Sequence, residues 1–262
     1  MSSSIDKQVI LITGATAGIG FDTAVYLAAD SAKNHVIMGA RSAAKGEAKV
    51  KDVQAKSPKG TVSFVIVDQN DDESISAAVK QIEQEFGRLD VLVNNAGVAP
   101  EPTGKVWTTR KHLRTIFETN VFGPTILTEA ALPLLKHSKN AMVINVTSGL
   151  GSIAGLDTNL DSNSPLLPFQ GVLGPGYRMS KAALNTLTAY QHLHLHKDGV
   201  KTWAYCPGYV VTDLTADRDS RMAEPWCESS ETSAQGILDI VHGERDAEVG
   251  KFVTKRGGAY PW

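Results

Sequence analysis

The start of the chain contains the pattern that most constrains the fold, a short apolar run followed at once by a cluster of glycines. Residues 9–13, Val-Ile-Leu-Ile-Thr, predict a buried parallel strand. Gly14, Gly18 and Gly20 follow, and apolar residues at helical spacing then predict a helix. A strand that passes through a glycine turn into a helix is the first half of a strand-helix-strand unit. The pattern therefore predicts an α/β fold built on a parallel sheet.

The glycine turn also fits the binding of a dinucleotide. One glycine permits the tight turn, another lets the backbone approach a pyrophosphate, and Gly20 lets the helix lie close to the sheet. The first N–H groups of the helix would then face the phosphates. The spacing is Gly-x-x-x-Gly-x-Gly rather than the commoner Gly-x-Gly-x-x-Gly. Glycines after a strand also form tight turns that bind nothing, and that alternative stays open.

The end of the second apolar run, residues 35–40, bears on coenzyme choice. An acidic residue placed about 20 residues beyond the last glycine would bind the ribose of NAD. Ala40 and Arg41 stand there instead, with Lys45 close behind. A guanidinium suits the additional phosphate of NADP, so the sequence favours NADP(H). The alternative is a solvated arginine at the start of the helix predicted over residues 42–56.

Further apolar runs predict the other strands, and polar or small residues follow them. The runs and the residues after them are 62–67 with Asp68, 89–93 with Asn94-Asn95-Ala96-Gly97, 141–146 with Thr147-Ser148-Gly149, 200–205 with Cys206-Pro207-Gly208, and 251–254. Because the carboxyl ends of parallel strands meet at one edge, these residues should border a ligand crevice. Asp68 is either an adenine-side contact or a turn residue, and Asn-Asn-Ala-Gly is also ordinary turn sequence.

Asn120 lies in the middle of a long helix that the sequence predicts over residues 111–136. Asparagine is a weak helix former, and Gly123 and Pro124 follow it closely, so the segment is locally unfavourable for a helix. Such unfavourable residues often mark a functional site. A plain helix kink is the alternative.

Tyr177 and Lys181 are four residues apart at the start of a helix predicted to run to about residue 197, so they share one helix face. A free phenol titrates near pH ~10, and a neighbouring ammonium would draw the pKa of Tyr177 toward neutrality. The tyrosine could then exchange a proton with a carbonyl or carbinol oxygen. Taken alone, such a pair is more often an aromatic ring packed under a lysine stem.

Two irregular segments are predicted to border the crevice. Residues 151–176 are rich in Gly and Pro and predict a loop over it. Residues 213–230 are polar and irregular, which is typical of a mobile lid. Together with Trp107, these segments are the predicted walls of a substrate site.

Charge, cysteines and histidines exclude several classes of function. The net charge of -2 is spread without a basic block, which argues against binding of nucleic acid or of an anionic membrane surface. The two cysteines have neither the number of a disulfide framework nor zinc-site spacing, so reduced thiols are expected. Three histidines, His192, His194 and His196, lack an acidic partner, and no metal site is predicted.

No secretory segment and no membrane-spanning run is visible, so a single domain over 1–262 in the cytoplasm is expected.

Six motifs stand in order along the chain. They are Thr13-Gly14-x-x-x-Gly18-Ile19-Gly20, Asn94-Asn95-Ala96-Gly97, Asn120, Ser148, Tyr177-x-x-x-Lys181 and Pro207-Gly208-x-x-x-Thr212. In this order the chain resembles the short-chain dehydrogenase/reductase family over nearly its whole length. The resemblance implies a Rossmann-type, doubly wound sheet of seven parallel strands with helices on both faces, in three α/β/α layers.

The resemblance also implies roles for particular residues. Tyr177 would be the proton donor or acceptor, and Ser148 would hold the substrate oxygen. Lys181 would bind the nicotinamide ribose and lower the pKa of Tyr177, while Asn120 would hold a water that links Lys181 to solvent. The residues implied to contact the coenzyme are Gly14, Thr16, Gly18, Ile19, Gly20, Arg41, Asp68, Asn95, Ala96, Gly97, Asn120, Tyr177, Lys181, Pro207, Gly208, Val210 and Thr212.

The activity that the resemblance implies is NADP(H)-dependent reduction of a small to medium ketone or aldehyde, or oxidation of the matching secondary alcohol. Two alternatives stay open: a non-redox step that uses the same tyrosine, and an NADP-binding regulatory protein without turnover. Ser148 and Tyr177 are 29 positions apart, which is more than is usual in the family. In this longer separation the chain is similar to the carbonyl-reductase branch. The insertion of that branch can cover the helix surface used by family tetramers, so a monomer or homodimer is expected.

Coenzyme preference gives the first test. Arg41 should favour NADPH by roughly 10- to 150-fold, the equivalent of one charge-assisted hydrogen bond of about 1.5 to 3 kcal/mol. The double substitution Ala40→Asp with Arg41→Ala should reverse the preference, because a carboxylate repels the phosphate and binds the ribose hydroxyls of NADH. The measurement is kcat/KM for both coenzymes with one ketone. Equal use of NADH and NADPH by the wild-type protein would contradict the assignment.

Overall fold

The apolar runs form one parallel sheet in a computed structural model, which describes residues 7–99, 108–210, 212, 214 and 227–262. Within those residues the strands are β1 (Gln8–Ile12), β2 (Asn34–Ala40), β3 (Thr61–Ile66), β4 (Val91–Asn94), β5 (Met142–Val146), β6 (Lys201–Cys206) and β7 (Phe252–Thr254). They lie in the order β3-β2-β1-β4-β5-β6-β7, and all six neighbouring pairs are parallel. The predicted doubly wound sheet of seven strands is confirmed.

Helices cover both faces of this sheet. They are α1 (Gly18–Asp30), α2 (Ala43–Gln54), α3 (Asp72–Phe86), α4 (Arg110–Phe117), α5 (Gly123–Lys136), α6 (Pro175–Leu195) and α7 (Ser230–Val241). Alternate residues of each buried strand point to opposite faces. Ile10 and Ile12 pack in the core cluster under α1 and α7, whereas Val9 and Leu11 pack in the cluster under α3 and α5. The three-layer α/β/α architecture follows from this alternation.

The long helix predicted over residues 111–136 is not continuous, which corrects the sequence prediction. Helix α4 ends at Phe117, and α5 begins only after a π-helical turn, Glu118–Phe122. Within this turn Gly123 N–H donates to the carbonyl of Glu118, five residues back. Pro124 has no N–H to donate to the carbonyl of Asn120, so the regular α-helical hydrogen bond cannot form at this point. The kink that the sequence offered as an alternative is therefore a π turn, and it contains Asn120.

A buried network of polar side chains joins the central strands to the helices beside them. Asn94 on β4 donates to Asn145 on β5 at 2.8 Å and to Thr128 on α5 at 3.0 Å. Asn145 in turn donates to Thr188 at 2.9 Å and to Gln191 at 2.8 Å, both on α6. Buried amides must find such partners. The network therefore fixes α5 and α6 against the two strands whose ends border the predicted crevice.

The segment before α6 is irregular, as the sequence predicts, and the chain's tail holds it. It contains short 3₁₀ turns, Gly149–Gly151, Ala154–Leu156 and Leu167–Phe169, and α6 begins at Pro175, ahead of Tyr177. The Ser152 hydroxyl donates to the carbonyl of Pro261 at 2.7 Å, and Ala154 N–H donates to the carbonyl of Trp262 at 3.2 Å. The 151–176 segment is thus anchored at its start by the last residues of the chain.

The structure also bears on disulfides, metal sites and membrane-spanning helices. Cys206 is buried and Cys227 is partly buried, and neither forms a disulfide. In the described ranges, no group of three or more His, Cys, Asp and Glu residues has the arrangement of a metal site. The His192 and His196 rings are 5.4 Å apart between centroids. Across the same residues, no helix has both the length and the apolar character needed to cross a membrane.

Candidate active site

The glycine turn after β1 leads into the start of α1 without a side-chain cap. Gly14 has a φ of 64° and Gly18 a φ of 51°, which L-residues with side chains rarely adopt. A Cβ on Gly14 would lie 3.0 Å from the Cα of Ala96. Helix α1 starts at Gly18, its N-cap residue Ala17 supplies no capping side chain, and its first turn has no acidic residue. The first N–H groups of α1 thus lack a side-chain acceptor, which fits the pyrophosphate of a dinucleotide.

Thr13 and Asn95 lock this turn to the end of β4. The Thr13 hydroxyl accepts from the N–H groups of Asn95 and Ala96, both at 3.0 Å. The Asn95 amide donates to the Thr13 carbonyl at 2.9 Å. A Cβ on Gly20 would collide with the Asn95 amide, so glycine is needed there for close approach. Thr13 is not among the residues predicted to contact the coenzyme, although its place directly before Gly14 in the motif was a usable signal.

The segment after β6 returns to the glycine turn. Thr212 lies against Gly18, because a Cβ on that glycine would come within 3.3 Å of the threonine Cγ2. Pro207 is held by its carbonyl, which accepts from Ser233 at 2.7 Å, and Gly208 has a φ of 79°. Val210 is buried and forms a β-bridge. Of the residues after β6 that are predicted to contact the coenzyme, Thr212 therefore lies beside the glycine turn after β1.

Four other residues are predicted to contact the coenzyme, and they lie after β1, β2 and β3. Thr16 is partly buried within the glycine turn, and Ile19 packs partly against the core. Arg41 follows β2 and is exposed. Asp68 follows β3, and its carboxylate accepts from Asn70 N–H at 3.0 Å, which is the turn role that the sequence left open. Arg41 and Asp68 lie in the half of the sheet away from β5, as expected for residues that meet the adenosine end of a dinucleotide.

Lys181 and Tyr177 share one face of α6, as the sequence predicts. The Lys181 ammonium lies 5.6 Å from the centroid of the Tyr177 ring. It donates to the carbonyl of Val146, the last residue of β5, at 2.8 Å. Lys181 is 3% exposed and Tyr177 is partly buried. The pair is therefore attached to the carboxyl end of β5, directly before Thr147 and Ser148.

Burial changes the acid-base behaviour of Lys181. Removal of the ammonium from water lowers the pKa of Lys181 from its ordinary value of 10.5 to about 8, against a smaller opposing effect of Cys206. A lysine with a pKa of about 8 is mostly protonated at neutral pH. The site thus holds a buried positive charge 5.6 Å from the centre of a tyrosine ring.

The Asn120 side chain, in the π turn, makes three hydrogen bonds to two residues, Val98 and Ser180. Its amide donates to the carbonyl of Val98 at 3.0 Å and to Ser180 at 3.1 Å, and its oxygen accepts from Val98 N–H at 2.8 Å. The residue is 1% exposed. A Cβ on Gly97 would lie 3.4 Å from the Asn120 oxygen and 3.7 Å from the Lys181 ammonium nitrogen. Asn120 and Lys181 therefore border the same gap in front of Gly97.

Ser148, which follows β5, borders a cavity. Its hydroxyl oxygen accepts from Leu150 N–H at 3.2 Å and so caps the Gly149–Gly151 turn. The cavity beside it, called here the Ser148 cavity, has a volume of about 280 Å³. Pro168, Phe169 and Val172 line it, which agrees with the predicted wall from residues 151–176. Trp107 and most of the predicted wall from residues 213–230, namely 213 and 215–226, lie outside the described residues, whereas Glu228 of that wall lines the cavity.

Comparisons with known proteins now give the family. The family model described as short chain dehydrogenase matches residues 8–223. The short-chain dehydrogenase/reductase tropE of Talaromyces stipitatus is 32% identical over 98% of both chains, and the short-chain dehydrogenase anuI of Penicillium roqueforti is 37% identical over 85% of this chain and 86% of its own. The structure of an NADPH-bound carbonyl reductase from chicken fatty liver has a TM-score of 0.80 at 27% identity, covering 98% of this chain and 100% of that one.

The chain belongs to the short-chain dehydrogenase/reductase family. It is an oxidoreductase of that family, whose members use a nicotinamide coenzyme. The Rossmann-type fold predicted from the six motifs is the fold observed here.

The lowered pKa of Lys181 gives the second test. Between about pH 8 and 10.5 the unfolded lysine keeps its proton while the folded one has lost it, so the free energy of unfolding rises with pH in that window. Relative to Lys181→Met, the wild-type protein should gain about 2 kcal/mol between about pH 7 and 9.5 in urea unfolding. The exposed Lys139→Met is the matched control and should show no such gain. A pH-independent difference for Lys181→Met would contradict the assigned pKa.

Proposed function

We propose that this protein is an NADP(H)-dependent carbonyl reductase that also oxidises the matching secondary alcohols. The observation that carries the proposal is the position of the buried Lys181 ammonium. It donates to the last carbonyl of β5 and lies 5.6 Å from the centre of the Tyr177 ring. Ser148, two residues after that carbonyl, lines a cavity. These three side chains supply a proton donor, a charge that supports it and a hydroxyl that can bind an oxygen. The likeness to an NADPH-bound carbonyl reductase supports the same function.

The residues available for the coenzyme follow the strand ends. The pyrophosphate would lie on Gly14, Thr16, Gly18, Ile19 and Gly20 at the start of α1. Arg41 would bind the 2′-phosphate, and Asp68 would stand near the adenine. Asn95, Ala96 and Gly97 would meet the ribose nearer the nicotinamide, while Pro207, Gly208, Val210 and Thr212 would enclose the nicotinamide half. Lys181 would bind the nicotinamide ribose.

The chemistry of the protein's own residues can be stated for the reduction. When bound, the reduced nicotinamide supplies the hydride. Ser148 donates a hydrogen bond to the carbonyl oxygen and orients it. Tyr177 gives its proton to that oxygen as the alcohol forms, and the Lys181 ammonium stabilises the phenolate that remains. Asn120 holds a water through which a proton returns from solvent. Oxidation of the alcohol follows the same steps in reverse.

The third prediction tests the role of Tyr177. Tyr177→Phe should lower kcat by at least ~10²-fold, the scale of one general acid, because the ring remains and only the exchangeable proton is lost. The dissociation constant for NADPH, followed by its fluorescence, should stay nearly unchanged. Tyr190→Phe is the matched control, since Tyr190 lies further along the same helix and its side chain is 62% exposed.

Turnover near the wild-type value in Tyr177→Phe would end the proposed role. A protein that binds NADPH but converts no ketone, aldehyde or quinone would favour a regulatory role. Conversion of a substrate without consumption of NADPH would favour a non-redox reaction at the same tyrosine.

A further inference from the structure

The Ser148 cavity has an apolar wall and a charged end. Pro165, Pro168, Phe169 and Val172 form the wall together with Tyr260 from the tail of the chain. At the charged end lie the side chains of Glu228, Lys255 and Arg256, called here the charged triad. Among the described residues that line the cavity, the charged triad supplies all the formal charges. An apolar cavity with a few polar groups at one end usually orients its ligand by those groups.

The charged triad is held together by two ion pairs on one carboxylate. The Lys255 ammonium lies 2.8 Å from one oxygen of Glu228, and the Arg256 guanidinium contacts the other. The Lys255 ammonium also donates to the hydroxyl of Thr232 at 3.0 Å. The Lys255 side chain is 6% exposed, whereas that of Arg256 is 75% exposed. Lys255 is therefore the buried member of the triad, and Arg256 lies at the solvent boundary.

The charges of the triad do not balance. Burial acts to raise the pKa of Glu228, but hydrogen bonds and positive charge from Lys255 and then Arg256 outweigh burial and leave the pKa below its ordinary value. Glu228 is therefore ionised at neutral pH and supplies one negative charge against two positive ones. One positive charge remains at this end of the cavity, and because Arg256 lies at the solvent boundary, an anion that enters the cavity can pair with it there.

Cys206 links the triad to the residue proposed to hold the substrate oxygen. Its thiol accepts from Gly149 N–H, the residue after Ser148, at 3.1 Å. Its carbonyl accepts from Lys255 N–H at 3.2 Å. The Lys255 stem lies against Gly208, where a Cβ would come within 2.8 Å of the lysine Cε. Ser148 and Lys255 thus flank one buried residue and line one cavity, so a single small ligand can reach both.

We propose that this cavity selects carbonyl substrates that carry an anionic group, a carboxylate or an equivalent acidic oxygen. The anionic group pairs with Arg256 and Lys255 while the carbonyl oxygen lies at Ser148. The apolar lining, with Phe169 and Tyr260, suits a flat ring as the body of the substrate. This inference rests on the proposed function, because it concerns the substrate of the same site.

The test compares two nearly isosteric ketones, 3-acetylbenzoate and its neutral amide, 3-acetylbenzamide. The wild-type protein should prefer the benzoate by about 10-fold in kcat/KM, the scale of one partly exposed charge-assisted hydrogen bond. Arg256→Gln should reduce that ratio to near one, and Lys255→Met should reduce it in the same direction. The control is Lys251→Gln, which removes the same charge from an exposed lysine at the opposite end of β7 and should leave the ratio unchanged.

Binding separates failure of this inference from failure of the proposed function. Dissociation constants for both ketones are measured by calorimetry with the NADP⁺-bound protein. Tighter binding of the benzoate without any reduction supports the inference and contradicts the reductase. Equal binding and equal reduction of the two ketones overturn the inference and leave the reductase intact, and binding of neither ketone also overturns it. If Arg256→Gln lowers the unfolding midpoint but leaves the benzoate-to-benzamide ratio of kcat/KM at the wild-type value, the triad only stabilises the fold and the inference is overturned.

Discussion

The site depends on one buried charge, the ammonium of Lys181 held at the carbonyl of Val146. This contact joins α6 to the end of β5, and so it places Tyr177 and Ser148 at the same edge of the sheet. Burial of a lysine is costly, as its lowered pKa shows, and a fold retains such a cost where the charge has a use. The buried network of Asn94 and Asn145 supports the arrangement, because it also fixes a later part of α6 to β5 through Thr188 and Gln191.

The sequence was sufficient for the fold and for the order of the site residues. Short apolar runs predicted each strand to within a few residues, and the polar residues after them predicted which edge would carry the site. Capping residues set helix starts in the same local way, as where the Asp71 carboxylate accepts from the N–H groups of Glu73 and Ser74. These features are local in the chain, so a single sequence contains them. Single-domain organisation, cytoplasmic location and a monomeric or homodimeric state stay predictions.

Features that depend on distant contacts could not be predicted in this way. The sequence marked Asn120 as unfavourable in a helix, but only the structure shows that the missing N–H of Pro124 is accommodated by a π turn packed against Gln69. The Thr13 hydroxyl accepts from two N–H groups directly after β4, about 80 residues later in the chain. The charged triad combines residues from after β6 and β7, and no spacing in the sequence connects them to Ser148.

The central claim is that a hydride passes from bound NADPH to a carbonyl carbon while Tyr177 supplies the proton. The most direct measurement uses NADPH deuterated at C4 of the nicotinamide, in each of its two diastereomers, with mass spectrometry of the alcohol formed. We expect one deuterium on the carbinol carbon from one diastereomer and none from the other, because a fixed site presents one face of the ring. Alcohol without deuterium from either diastereomer, or a product that keeps its carbonyl group, would contradict it.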